Sequence, residues 1–207
     1  MPRIRANDYD DKKTGILDAA ADLFATSGYT GSKMQDVAAA CNVSKSMLYH
    51  YFPKKEDVLF EILTQHLESL IEALEKVDGS GTPHSEYDFF HDFIETYLES
   101  SKLSRAKHLV ALNDRRFLTP DQQKQIVDLE RQVLDLFVAV LRRVRPGEEA
   151  DYYRTYALLL IGMMNWAELW YRRSGRISPP MFYDLISQLF LHGYSADPKA
   201  KTPKAPA

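Results

Sequence analysis

The sequence predicts an all-α fold on three observations. Every long segment repeats its apolar residues at helical spacing, none alternates as a strand does, and the breaks between segments carry the residues that start and stop helices. The expected division is a three-helix N-terminal unit over 1–53, a connecting helix over 54–78, a larger helical domain over 79–194 and a disordered tail over 195–207.

Residues 1–8 read as an unstructured tail, with Arg3 and Arg5 solvated or forming an arm that could lie along phosphates or enter a minor groove. MPRIRANDYDDKK has no apolar h-region and is not read as a signal peptide. The first helix is expected from about Asp10 to Ser27. Ile16, Ala20, Leu23 and Phe24 form its apolar stripe, Asp10 and Asp11 suit its N-terminus, and Gly28 stops it.

The stretch Ser32–Phe52 reads as two short helices, Met34–Cys41 and Lys45–Phe52, separated by Asn42-Val43-Ser44. Asn tolerates a left-handed backbone, Val43 can plug a small core and Ser44 is a good N-cap, so the pair is a helix-turn-helix. In the second helix Leu48 and Phe52 share the inward face, leaving Lys45, Ser46, Tyr49, His50 and Tyr51 to project elsewhere. Two readings fit these residues alone: the solvated face of a helical hairpin, or a surface that enters a DNA major groove.

The flanking residues bear on that choice. ILDAAADLFATSGYTGSKMQDVAAACNVSKSMLYHYFPKKEDVL, from Ile16 to Leu59, resembles the TetR family of bacterial transcriptional regulators in the order and spacing of its LFATSGY, DVAAACNVSKSMLYHYF and KKEDVL steps. The resemblance implies phosphate contacts from Ser32, Lys33, Gln35, Tyr49, Tyr51 and Lys55. It implies base-proximal contacts from Lys45, Ser46 and His50, with Met47 either touching a thymine methyl or packing. Capping alone also accounts for Ser32.

Pro53 ends the recognition helix, and a helix from about Lys54 to Val77 follows with Val58, Ile62, Leu63, Leu67, Leu70, Ile71 and Leu74 at helical spacing. At 1.5 Å per residue it spans ~36 Å, enough to connect two modules as a lever. Gly79-Ser80-Gly81-Thr82-Pro83 is a linker. Helices are then expected over Glu86–Ser101, Arg105–Asn113 and from Thr119-Pro120 to Val144, ended by Pro146-Gly147. Tyr152–Arg173 is apolar on nearly every face, and Ser178-Pro179-Pro180 opens a last helix to Tyr194 with Met181, Leu185, Ile186, Leu189 and Phe190 as its stripe. The family resemblance implies that these last two long helices pair with their mates in a homodimer.

Phe89, Phe93, Tyr97, His108, Leu112, Tyr156, Met163, Asn165, Trp166 and Trp170 are candidates to line a mainly apolar pocket with a few polar anchors, as is Glu168; ordinary core and dimer packing is the alternative. NDRRFLTPDQQKQIVDLERQ and GMMNWAELWYRRSGRISPPMFYDLISQLFLHGY resemble the subgroup of the family that responds to acyl-CoA thioesters. That implies a small-molecule effector, an acyl-CoA thioester among the options, and no resident cofactor. Its phosphates would want cations such as Arg115, Arg116, Arg172 and Arg173.

Composition bounds the remaining classes. The net charge of -3 divides unevenly: through Lys55 there are eight Lys/Arg against six Asp/Glu, a balance of +2, which leaves -5 for the rest. So slight an excess points to specific DNA contacts rather than general polyanion affinity. Cys41 is the single cysteine, so no intrachain disulfide forms; its small apolar neighbours suit a core residue better than a redox sensor, and a reducing cytoplasm is expected. The longest apolar run, Ala157–Met164, is far below the ~20 residues of a membrane span. Against an enzyme stands the absence of G-x-S-x-G, H-E-x-x-H or a Gly-rich phosphate loop. His91 and Glu95 are four apart, but spacing offers no third ligand, and no metal site is expected. The rivals left open are a helical acyl-CoA-binding enzyme and an interaction module without sequence-specific DNA binding.

Overall fold

The computed structural model describes residues 3–78 and 85–194; the expected linker at 79–83 and tail at 195–207 lie outside them. The described residues form α1 (Arg3–Ser27), α2 (Met34–Ala40), α3 (Lys45–Tyr51), α4 (Lys55–Asp78), α5 (Glu86–Leu103), α6 (Arg105–Asp114), a 3-10 turn (Arg115–Phe117), α7 (Pro120–Val144), α8 (Ala150–Trp170) and α9 (Pro179–Tyr194). The fold is all-α, as expected.

One boundary changes substantially. α1 begins at Arg3, so the unstructured tail expected over 1–8 is instead mostly helix. A tertiary contact anchors the added turns: Tyr9 stacks on Tyr51 of α3 with ring centroids 4.6 Å apart. Periodicity could not show this, because the ring that holds Tyr9 is far along the chain.

The described residues pack as two compact units, 3–71 with 101–131 and 72–78 with 85–100 and 132–194, a division that cuts across the expected segments and falls inside α4, α5 and α7. In the first, Ile16, Leu17, Ala20, Ala21 and Phe24 of α1 are buried together with Val37, Ala38, Leu48 and Phe52 of the helix-turn-helix and Val58, Leu59, Ile62 and Leu63 of α4. Polar ties fasten α6 and the start of α7 within this unit. Lys107 Nζ lies 2.6 Å from Asp18 and donates to Gln65 at 2.7 Å, and Gln122 donates to Asp57 at 3.2 Å.

In the second unit the core is formed by Phe90, Phe93, Ile94 and Tyr97 of α5, Phe137, Val140 and Leu141 of α7, Tyr153, Ala157, Leu160 and Met164 of α8, and Tyr183 and Ile186 of α9. Reciprocal caps set two helix starts. Ser85 N–H donates to Asp88 while Ser85 Oγ accepts from Asp88 N–H, and Thr119 and Gln122 repeat the exchange ahead of α7. Arg173 and the Tyr183 hydroxyl both donate to the Glu99 carboxylate, fastening the segment after α8 to α5.

Candidate functional site

α3 is a helix of only seven residues, and its orientation is set at both ends. Asn42 takes φ +55°, the left-handed turn its side chain tolerates. Ser44 Oγ accepts the Met47 N–H at 3.1 Å, and the Phe52 N–H returns to Leu48 O at 2.8 Å. Leu48 is fully buried, which leaves Lys45, Ser46, Tyr49 and His50 exposed and Met47 half-buried. Lys45 Nζ donates to Gln35 Oε1 at 3.2 Å, so a cation of α3 and an amide of α2 form one exposed polar surface with Lys33 beside it. That surface supplies hydrogen-bond donors, acceptors and positive charge, the groups that base edges and phosphates take.

Three residues expected on that surface sit differently. Tyr51 is half-buried against Tyr9. Ser32 is only 3% exposed and its hydroxyl donates to Gly28 O at 2.9 Å. Lys55 Nζ donates to the carbonyls of Tyr29 and Ser32 at 2.7 and 2.8 Å and lies 4.1 Å from the Tyr29 ring centroid. A backbone carbonyl offers a lysine the same charge-assisted bond that a phosphate does, and here it lies within the fold. Lys55→Met is therefore expected to cost about 1–3 kcal/mol of stability. It should leave the salt slope of DNA binding unchanged, whereas a lost phosphate contact lowers the slope by about 0.9. Thermal melts and anisotropy at several salt concentrations distinguish the two roles.

The expected pocket residues separate. Phe93 and Tyr97 are buried and set edge-on to Phe137, with centroids 4.9 and 5.2 Å away, and Tyr97 Oη donates to Asn165 Oδ1 at 2.7 Å. This is a buried aromatic cluster with one polar anchor. Tyr156 is half-buried and edge-on to Phe190, Met163 is half-buried, and Phe89 lies under the Arg143 guanidinium at 3.8 Å. His108 and Leu112 belong to the other compact unit, where Leu112 is 45% exposed. Trp166 and Trp170, expected to line the pocket, are instead 65% and 56% exposed. The Glu168 side chain lies outside the described ones.

His108 is buried against His66 of α4, with Nδ1 and Nε2 3.1 Å apart, so one imidazole donates to the other. His66 went unmarked in the sequence, although a histidine four residues after Ile62 in an apolar stripe was the available signal. Burial, then the nearby charges of His108 and Lys107, push His66 down to about 3. The unfolded chain, with an ordinary His near pH 6.5, takes up that proton first as pH falls. This contribution to stability is therefore complete above about pH 6.5 and is lost as pH drops towards 3. Between pH 7 and 5 the loss is about 2 kcal/mol. Urea denaturation at both pH values should show that loss in the parent and a flatter dependence in His66→Leu; parallel pH profiles would sink it.

α8 and α9 present a second surface. Along α8, Tyr153, Ala157, Leu160, Met164 and Ala167 are buried, while Leu158, Leu159, Trp166, Leu169 and Trp170 are exposed. On α9, Met181, Leu185 and Leu189 are exposed at four-residue spacing, whereas Ile186 turns inward and Phe190 is half-buried. α8 is therefore apolar on two faces, one lying in this chain's own core and one exposed. Elsewhere, on α5, Asp92 joins His91 and Glu95 with donor atoms within 4.8 Å of one another, a third group that spacing did not suggest. No helix among the described residues is long and apolar enough to cross a membrane.

Comparison with known proteins accounts for both halves of the chain. The family model for bacterial regulatory proteins of the tetR family matches residues 16–62, and that for the tetracyclin repressor-like C-terminal domain matches residues 85–194. The chain belongs to the TetR family. A TetR-family regulator from Bordetella parapertussis superposes with a TM-score of 0.80 at 34% identity, covering 88% of this chain and 95% of that one. The transcriptional repressor KstR2 of Rhodococcus jostii is 26% identical over 182 residues, 81% of this chain and 83% of its own length. AibR, solved with isovaleryl coenzyme A and operator DNA, has the same fold, with a TM-score of 0.73, 22% identity and coverage of 86% and 97%. Like its TetR-family relatives, the chain is a DNA-binding, ligand-responsive transcription regulator, and α2–α3 is its helix-turn-helix.

Proposed function

We propose that the chain is a homodimeric repressor that binds a palindromic operator through α3 and is released by a small apolar effector, with an acyl-CoA thioester as the favoured class. The observation that carries the DNA reading is the division of α3 between a fully buried Leu48 and an exposed Lys45, Ser46, Tyr49 and His50. The exposed α8 and α9 stripes support dimerisation through those helices, since a two-fold axis lets the same apolar patch cover itself. Two recognition helices then sit one DNA turn apart, ~34 to 36 Å, or somewhat further. That partner places the protein in the cytoplasm.

The effector reading rests on the aromatic cluster of Phe93, Tyr97 and Phe137 anchored by Asn165, and on likeness to KstR2 and AibR. Effector binding shifts α4 and with it the separation of the two recognition helices. By linkage, operator DNA weakens effector binding by the same factor. Fluorescence anisotropy on duplex DNA from upstream of the gene, at fixed salt, titrated with acyl-CoAs and their free acids, tests both parts. Specific binding released by one thioester and not by its acid is the expected result. Specific binding that no thioester releases keeps the regulator and removes the thioester.

A further inference from the structure

We propose that Phe117 of the 3-10 turn, acting through Tyr29, is a positioning residue for operator binding: it holds the α1–α2 turn in the shape that presents Lys33 and α3 to DNA. The inference rests on the regulator reading above and adds a second control on the helix-turn-helix besides α4.

The turn from Gly28 to Lys33 is tight. Gly28 has φ +78°, and a Cβ on Gly31 would lie 2.9 Å from Ser27 O, so neither end of the turn accepts an ordinary residue without strain. Between them Tyr29 is only 5% exposed. Its hydroxyl is buried with no hydrogen-bond partner, so packing alone locates the ring. Three groups do this: Phe24 edge-on at 5.2 Å, the Lys55 ammonium at 4.1 Å and Phe117 stacked at 5.0 Å with planes 22° apart. Phe24 comes from α1, which runs into the turn, and Lys55 from the start of α4. Phe117 comes from beyond α6, and its neighbours are fastened to the same unit through Lys107 with Asp18 and Gln122 with Asp57.

The ring's position reaches the DNA surface through backbone. Lys55 bonds the carbonyls of both Tyr29 and Ser32, and Lys33, next in the chain, is the N-cap of α2, its N–H held by Asp36 at 2.8 Å. A displaced Tyr29 therefore moves the start of α2, and α3 with it. Any movement of the α6 end then reaches the recognition surface without passing along α4.

The test is operator anisotropy of the full chain at fixed salt, well below each variant's melting point, on Phe117→Ala, Phe117→Leu and Phe117→Tyr, with dimer content checked by light scattering. Phe117→Ala and Phe117→Leu should bind about tenfold more weakly, within the usual range of coupling effects, and amide exchange over 31–33 should quicken. Phe117→Tyr keeps the ring and should bind like the parent. Tyr29→Leu combined with Phe117→Ala should lose no more than Tyr29→Leu alone, because the Phe117 contact is already gone with the Tyr29 ring. Operator binding within about twofold of the parent in Phe117→Ala, even with a lower melting point, overturns the proposal by making the contact merely structural. If Phe117→Ala does not fold, Phe117→Leu decides by the same criterion. A parent chain that binds no duplex rejects the regulator reading itself, and this inference with it.

Discussion

Trp166→Glu combined with Leu189→Glu is expected to leave a folded monomer whose operator affinity is lower by more than about 100-fold, the scale on which linked binding sites exceed single ones. Both side chains are about two-thirds exposed on the single chain, at 65% and 68%, so their replacement removes little intrachain packing. In a two-fold dimer each position would be covered in both copies, and every fully buried apolar side chain of this size contributes about 1.5–3 kcal/mol. A glutamate there adds a desolvated charge facing its own copy. The monomer keeps an intact α3 and loses the second half-site, so the DNA defect should be large while helical content and melting stay close to the parent's. Light scattering, circular dichroism and anisotropy make the three readings. A dimer that survives both charges would place the two-fold interface on another face.

The second large effect is in specificity. Lys45→Ala and His50→Ala are expected to cost about 1–3 kcal/mol each on the preferred operator and to flatten the preference among single-base variants. Tyr49→Ala is expected to weaken all sequences alike, because a residue that meets the backbone positions the protein without reading bases. Lys45 is the better placed of the two readers, since Gln35 of α2 holds its ammonium at 3.2 Å and thereby limits its rotamers before DNA arrives. Anisotropy against a panel of single-base variants separates the roles. Equal losses on every sequence for all three variants would move Lys45 and His50 to the phosphates.

Much of the helix-turn-helix was legible from residues close together in the chain. Asn42 at positive φ, Ser44 capping α3 and the inward Leu48 each follow from chemistry confined to four or five positions, and the helix bounds there agree within one residue. Chemistry of the same range sets the start of α7, where Thr119 and Gln122 cap each other. It did not reach Arg3, where the helix already runs and Tyr9 further on meets a ring in α3, nor the backbone carbonyls that Ser32 and Lys55 bond within the fold. In the larger part helical spacing marked the apolar residues without saying where each would lie. Phe93 and Tyr97 went to a buried cluster, Trp166 and Trp170 to an exposed face, and His108 to a histidine partner in the other compact unit.

By itself, then, the sequence determined the number and order of the helices, most of their bounds and which of them carry more than one apolar face, because those properties depend on contacts three or four residues apart. Only the tertiary structure decided which polar tips remain free for DNA. Lys45 and Lys55 are the same side chain within ten positions of each other, one at the surface and one bound to Tyr29 and Ser32. The difference lies in what α4 packs against, a long-range fact that no local spacing encodes.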